Sequence, residues 1–144
     1  MSSRSRPWWL LVYPILVALW STAFSIWSAV DATAMYAAFG LDVSCDSFAM
    51  GNSVARYAGI AVALWLAILV VRTPEALLVA MVARHVMDLG DVVAGLQVGL
   101  MGPLDLWQPF LMFLGPEWFT IGGLIWWSRR TSRHLQENRD RGLR

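Results

Sequence analysis

"PWWLLVYPILVALWSTAFSIWSAV", residues 7–30, decides which solvent this chain folds in. It contains no charged side chain. An apolar helix of about 20 residues is enough to cross the hydrocarbon of a bilayer. Arg4 and Arg6 precede the stretch, and Ala32, Thr33 and Ala34 imitate a cleavage site. The run is nevertheless longer than the roughly 7–15 apolar residues of a signal peptide, so it reads as a retained helix.

Working outward, the rest of the chain repeats the pattern. "SVARYAGIAVALWLAILVV" (53–71) forms a second span, Pro74 to about Leu100 a third, and about Leu106 to Trp127 a fourth. The 144 residues are 58% hydrophobic with a mean hydropathy of +0.54, and they include nine Trp and no Lys. Charged residues make up 15%, against about a quarter in soluble domains. The expected fold is all-α: a four-helix transmembrane bundle over residues 1–130, followed by a basic tail over 131–144. Pro14 and Pro116 fall inside spans and predict local kinks. Trp8, Trp9, Trp107, Trp126 and Trp127 fall at span ends, as an interfacial aromatic belt requires.

The arginines give the orientation. Arg4, Arg6, Arg72, Arg129, Arg130, Arg133, Arg139, Arg141 and Arg144 all fall on one side of a four-span arrangement, which makes that side, with both termini, cytoplasmic. The opposite loops carry Asp31, Asp42, Asp46 and Asp105 and no basic residue. The location is the cell membrane, multi-pass. The bilayer is therefore a partner, nucleic acid is not, and self-association into a homo-oligomer is left open. The tail reads as a frayed helical extension whose arginines meet anionic headgroups. The long outer loop, with Met35, Tyr36, Phe39, Leu41 and Phe48, predicts a short helix lying in the interface, with a lid over an outward cavity as the alternative.

Only two arginines remain inside spans, Arg56 and Arg84. The second lies in "MVARHVMDLGDVVAG" (81–95), where a greasy helix also holds His85, Asp88 and Asp91. At about 100° per residue, Asp88 and Asp91 fall within about 40° of Arg84, so these charges share one face. Arg84 is about 15 Å past Pro74, near the midplane, where an unpaired charge costs at least about 2.5–3.5 kcal/mol. Arg84 and Asp88 at i, i+4 are the obvious pair. Glu117 lies at a similar depth in the fourth span, and Arg56 in the second can meet Asp91. Ser21, Ser25 and Ser28 line one face of the first span, flanked by Trp20 and Trp27; Trp65 and Trp118 are further aromatic candidates.

Paired intramembrane charges can simply fix helix register, and small polar faces can simply permit close packing. Here, however, the ionisable groups outnumber what pairing requires, which favours a hydrated pocket. Carboxyls taken out of water can hold and donate protons near neutrality, and a neighbouring Arg can keep a second one charged. Arg84, His85, Asp88, Asp91 and Glu117 are accordingly the candidate catalytic set. Glu117 or Asp88 would be the acid and Asp91 the base. Arg56, Ser21, Ser25, Trp20, Trp27, Trp65 and Trp118 are candidates for substrate binding. The expected activity is acid–base chemistry on a lipophilic small molecule: isomerisation, cyclisation or epoxide opening. The alternatives are a non-catalytic ligand-binding or proton-relay transport component, or a structural partner subunit. No cofactor is expected. The single Cys45 excludes an internal disulfide or a paired-cysteine redox centre, and His134 lies in the tail, which leaves no second histidine for haem or metal.

"FG" (39–40), "ARYAGIAVAL" (55–64) and "ARHVMDLGDVVAGL" (83–96), in that order, resemble small bacterial DoxX-like four-helix membrane proteins. The resemblance covers about residues 10 to 128. It implies the four-helix fold, not a reaction.

Overall fold

A computed structural model describes residues 7–38, 47–97 and 110–142. Among them are four helices and no strand. Expectations that rest on Phe39, Leu41, Asp42, Cys45, Asp46, Asp105 or Trp107 lie outside the described residues.

Helix α1 is Trp9–Ala38. Its buried positions, among them Leu10, Pro14, Val17, Ser21, Ser25, Ser28 and Met35, recur every three or four residues and form one stripe. Pro14 lies inside α1, and the dihedrals of that helix leave the helical region at Asp31 (φ −151°, ψ 82°). The Asp31 carboxylate accepts from the Ala34 backbone N–H at 2.9 Å and caps the segment beyond it. That segment is the short helix expected after residue 30. Its Ala32 and Met35 turn inward, and the Met35 sulfur accepts from the Ser28 hydroxyl at 2.7 Å.

Helix α2, Ser47–Trp65, begins earlier than expected and runs straight into a wider, π-type turn over Leu66–Val71. Arg72 ends it with φ 59°, its N–H bonded to the Ala67 carbonyl at 3.1 Å. Thr73 then accepts from the Ala76 N–H at 3.2 Å, and Pro74 fills the first position of α3, Pro74–Gln97. Helix α4 opens with a second π-type turn, Phe110–Leu114, and continues as Gly115–Gly142 through the basic tail. A methyl group on Gly115 would come 3.0 Å from the Phe110 carbonyl oxygen, so glycine suits the turn. The irregularity expected near Pro116 is this turn.

Each helix packs against its neighbour in sequence, and α4 closes on α1. Every pair runs antiparallel. Ser25 meets Val54, Arg56 meets Asp91, Glu75 meets Ser128, and Tyr13 meets Phe113. Two stretches, Trp9–Met35 and Val54–Val71, are long and apolar enough to cross a membrane. The apolar core occupies the half of the bundle nearest Arg72, where Val17, Ile60, Leu64, Leu77, Met81 and Leu124 pack together.

Candidate functional site

Just beyond this apolar half, the same stripes turn polar. On α3, Leu77 and Met81 are followed at the same spacing by Arg84 and Asp88; on α4, Glu117 precedes Thr120 and Leu124. Side chains at such positions face the interior whatever their polarity, because the helix period and not their chemistry aims them there. Arg84 and Asp88 are 5% and 10% exposed in their side chains, and Glu117 is fully buried.

Arg84 Nη2 donates to Asp88 Oδ1 at 2.6 Å, the i, i+4 pair expected. Arg84 Nε lies 3.9 Å from Glu117 Oε1, an ionic contact longer than a hydrogen bond. The guanidinium also sits over the Tyr57 ring, 5.4 Å from its centre. Sequence reasoning passed over Tyr57; its place three residues before Ile60 and seven before Leu64, on the apolar face of α2, could have marked it as facing the interior.

His85 links this core to the outer face of the bundle. Its Nδ1 is 2.7 Å from Glu117 Oε2, and the Trp118 indole N–H donates to its Nε2 at 2.6 Å. An indole nitrogen can only donate, so Nε2 must be the acceptor. The ring proton then sits on Nδ1 and is donated to Glu117. Partner chemistry thus fixes the tautomer. Trp118 itself is exposed and lies edge-on to Phe110, at 6.1 Å between ring centres.

The five residues Arg84, His85, Asp88, Glu117 and Trp118 therefore form one connected group. Arg84 Nε and Nη1, Asp88 Oδ2 and Glu117 Oε1 are buried and have no hydrogen-bond partner among the described residues as long as both carboxyls are ionised; the Asp88 and Glu117 carboxyls lie close enough to share a proton when one is protonated. Ser21 Oγ on α1 is likewise buried without a partner among the described residues. Buried polar atoms are nearly always partnered, and leaving one bare costs about 1–3 kcal/mol.

Other expected members are placed elsewhere. Asp91 is bound by Arg56 at 2.9 Å, one turn past Asp88, with both side chains about two-fifths exposed (38% and 43%). This is the pairing expected; it cross-links α2 and α3, and none of the ion pairs among the described residues joins Asp91 to the Arg84–Asp88–Glu117 group. Ser25 is buried but donates to the Val54 carbonyl at 3.3 Å, which ties α1 to α2. Trp65 donates to Thr22 Oγ1 at 3.1 Å and serves the same joint. Trp20 and Trp27 are corrected. Each is one position before a serine of the buried line, a step of about 100° that turns the ring to the outer surface. No protein-family model matches the chain, nor does any curated protein or solved structure.

Proposed function

We propose that this chain is a four-span membrane protein with both termini cytoplasmic, and that its Arg84–Asp88–Glu117 cluster performs acid–base chemistry on a lipophilic small molecule. Isomerisation, cyclisation and epoxide opening are the reaction types that such a cluster suits. The single observation that carries the reading is the surplus of buried hydrogen-bonding atoms in a group already joined by ion pairs. A purely structural cluster gains nothing from bare guanidinium N–H groups and bare carboxylate oxygens.

Residues on all four helices support the membrane setting. Leu16, Leu19, Val62, Leu69, Val79, Val86, Leu111 and Phe119 are all exposed on outer faces. In water that would be an extensive apolar surface, whereas in lipid it is the expected one. The nine arginines outside the spans set the orientation. The DoxX-like resemblance belongs to the same proposal.

Within the site, Arg84 holds Asp88 in place through the Nη2–Oδ1 contact. Glu117 is aimed by His85, and its free Oε1 is the atom best placed to take or give a proton. Trp118 covers His85 from the lipid side. A transport reading has one observation in its favour, the unbroken chain of contacts from Trp118 through His85 and Glu117 to Arg84 and Asp88.

Mass spectrometry of protein purified in mild detergent provides the test. Wild-type protein should carry a lipophilic compound that Glu117→Gln protein of equal stability retains at the same or a higher level but fails to convert. Conversion by the variant at the wild-type rate would end the acid–base assignment.

A further inference from the structure

With both carboxyls ionised, the charges of the buried cluster do not balance. Arg84 brings one positive charge, and Asp88 and Glu117 would bring two negative ones. His85 cannot make up the difference. Its Nε2 accepts from the Trp118 indole at 2.6 Å, so the ring keeps a single proton, on Nδ1, and is neutral. The other helices offer no spare cation among the described residues. Tyr13 on α1 and Tyr57 on α2 face the cluster, and phenols carry no charge at neutral pH. Arg56 on α2 is matched by Asp91 on α3 at 2.9 Å.

An unbalanced charge inside a bundle is far costlier than a paired one. The two carboxyls also hold the bare oxygens Asp88 Oδ2 and Glu117 Oε1, and they lie within hydrogen-bonding reach of each other. One proton removes both faults. The O–H of one carboxyl donates to an oxygen of the other, and the charge of the cluster falls to zero. A metal ion would need several oxygens arranged around it, whereas a proton needs only these two. We infer that Asp88 and Glu117 hold one proton between them at neutral pH, and that this proton latches α3 to α4. Without it, two like charges face each other across the joint, with Arg84 alone to offset them. The inference rests on the burial and hydrogen bonds of the cluster and not on the reaction proposed above, because a proton can be held without being passed to a substrate.

Infrared spectroscopy at neutral pH, in a detergent without ester groups, reads the proton directly. Wild-type protein should show the carbonyl stretch of a protonated carboxyl, to which ionised carboxylates do not contribute. Asp88→Asn and Glu117→Gln should each abolish that band. Either variant leaves a single carboxyl opposite Arg84, balanced without a proton. The latch appears in unfolding. A folded chain that holds one proton more than the unfolded chain releases it on unfolding, so stability falls as pH rises through neutrality. The unfolding constant of the wild type, divided by that of Glu117→Gln, should rise about tenfold per pH unit. Taking this ratio cancels groups common to both proteins, His134 and the N-terminus among them.

A wild type without the band would overturn the inference. So would a band that survives Asp88→Asn, which would give the proton to Glu117 alone, or a ratio of unfolding constants that does not change with pH. Should one variant fail to fold, the wild-type spectrum and the other variant decide. Failure of the acid–base assignment looks different: Glu117→Gln protein would convert the bound compound at the wild-type rate, with the band still present in wild type and absent from both variants.

Discussion

His85 is the residue whose neighbours constrain it most. With Trp118 donating to Nε2, the ring is held in the Nδ1–H form. Nitrogen NMR of histidine-labelled protein, assigned with a His134→Gln variant, should show an unprotonated Nε2 for His85. Trp118→Phe should release that constraint and shift the His85 signals; unchanged signals would mean that the indole does not hold the ring. The two cross-helix ion pairs should differ sharply in worth. Arg84→Leu strands two buried carboxylates and should cost about 3–5 kcal/mol of stability, and pairing it with Asp88→Leu and Glu117→Gln should recover much of the loss. Arg56→Leu strands an aspartate that is already partly exposed, so the Arg56–Asp91 coupling should be about 1 kcal/mol or less. Double-mutant melting curves in detergent check both values. Equal couplings would mean that burial does not separate the pairs.

Among the elements, the α2–α3 corner puts a non-glycine residue in the left-handed region. Arg72 has φ 59° and recovers part of the strain by donating Nε–H to the Leu69 carbonyl at 2.6 Å. Arg72→Val should cost about 1–2 kcal/mol, because a β-branched side chain fits that conformation poorly, while Arg72→Gly should be close to neutral. Thermal melts of the two variants give the comparison, and equal melting points would refute the strain argument. At the α1–α4 contact, a methyl on Gly123 would run into the Leu10 side chain and crowd Trp9. Gly123→Leu should lower the melting temperature where Gly122→Leu, with open space around it, does not. Much at this scale was legible in the sequence. Thr73 and Pro74 announce the start of α3, the 3.6-residue period places Arg84 and Asp88 together, and rise per residue puts Glu117 level with Arg84. The break at Asp31 falls where the first span was expected to end, whereas the π-type turns were not legible, because a widened turn leaves no period of its own. Trp20 and Trp27 misled because a tryptophan is equally at home against lipid and in a pocket.

For the molecule as a whole, four antiparallel helices bring Trp8, Trp9, Trp126 and Arg130 to the end that carries Arg72, with the Arg130 guanidinium over the Trp126 ring at 5.4 Å. A reporter fused after Arg144 should read cytoplasmic and one inserted near Asp46 external; two reporters on the same side would remove the four-span arrangement. The uneven distribution of charge also bears on how the chain is made. Every 18-residue window of Pro74–Gln97 contains Arg84, Asp88 and Asp91, whereas α1 and α2 each offer a stretch apolar enough to leave an aqueous channel unaided. Each of those three residues adds about 2.5–3.5 kcal/mol at the centre of an inserting segment. On the four-span proposal, helix α3 would thus be a poor independent passenger for the translocon. It should be released into lipid only once α4 has emerged and Glu117 can receive Arg84 and His85. Ribosome-bound chains stopped at residue 100 should accordingly hold α1 and α2 in the bilayer with α3 still accessible to water-soluble reagents, and chains extended beyond residue 130 should bury α3 and α4 together.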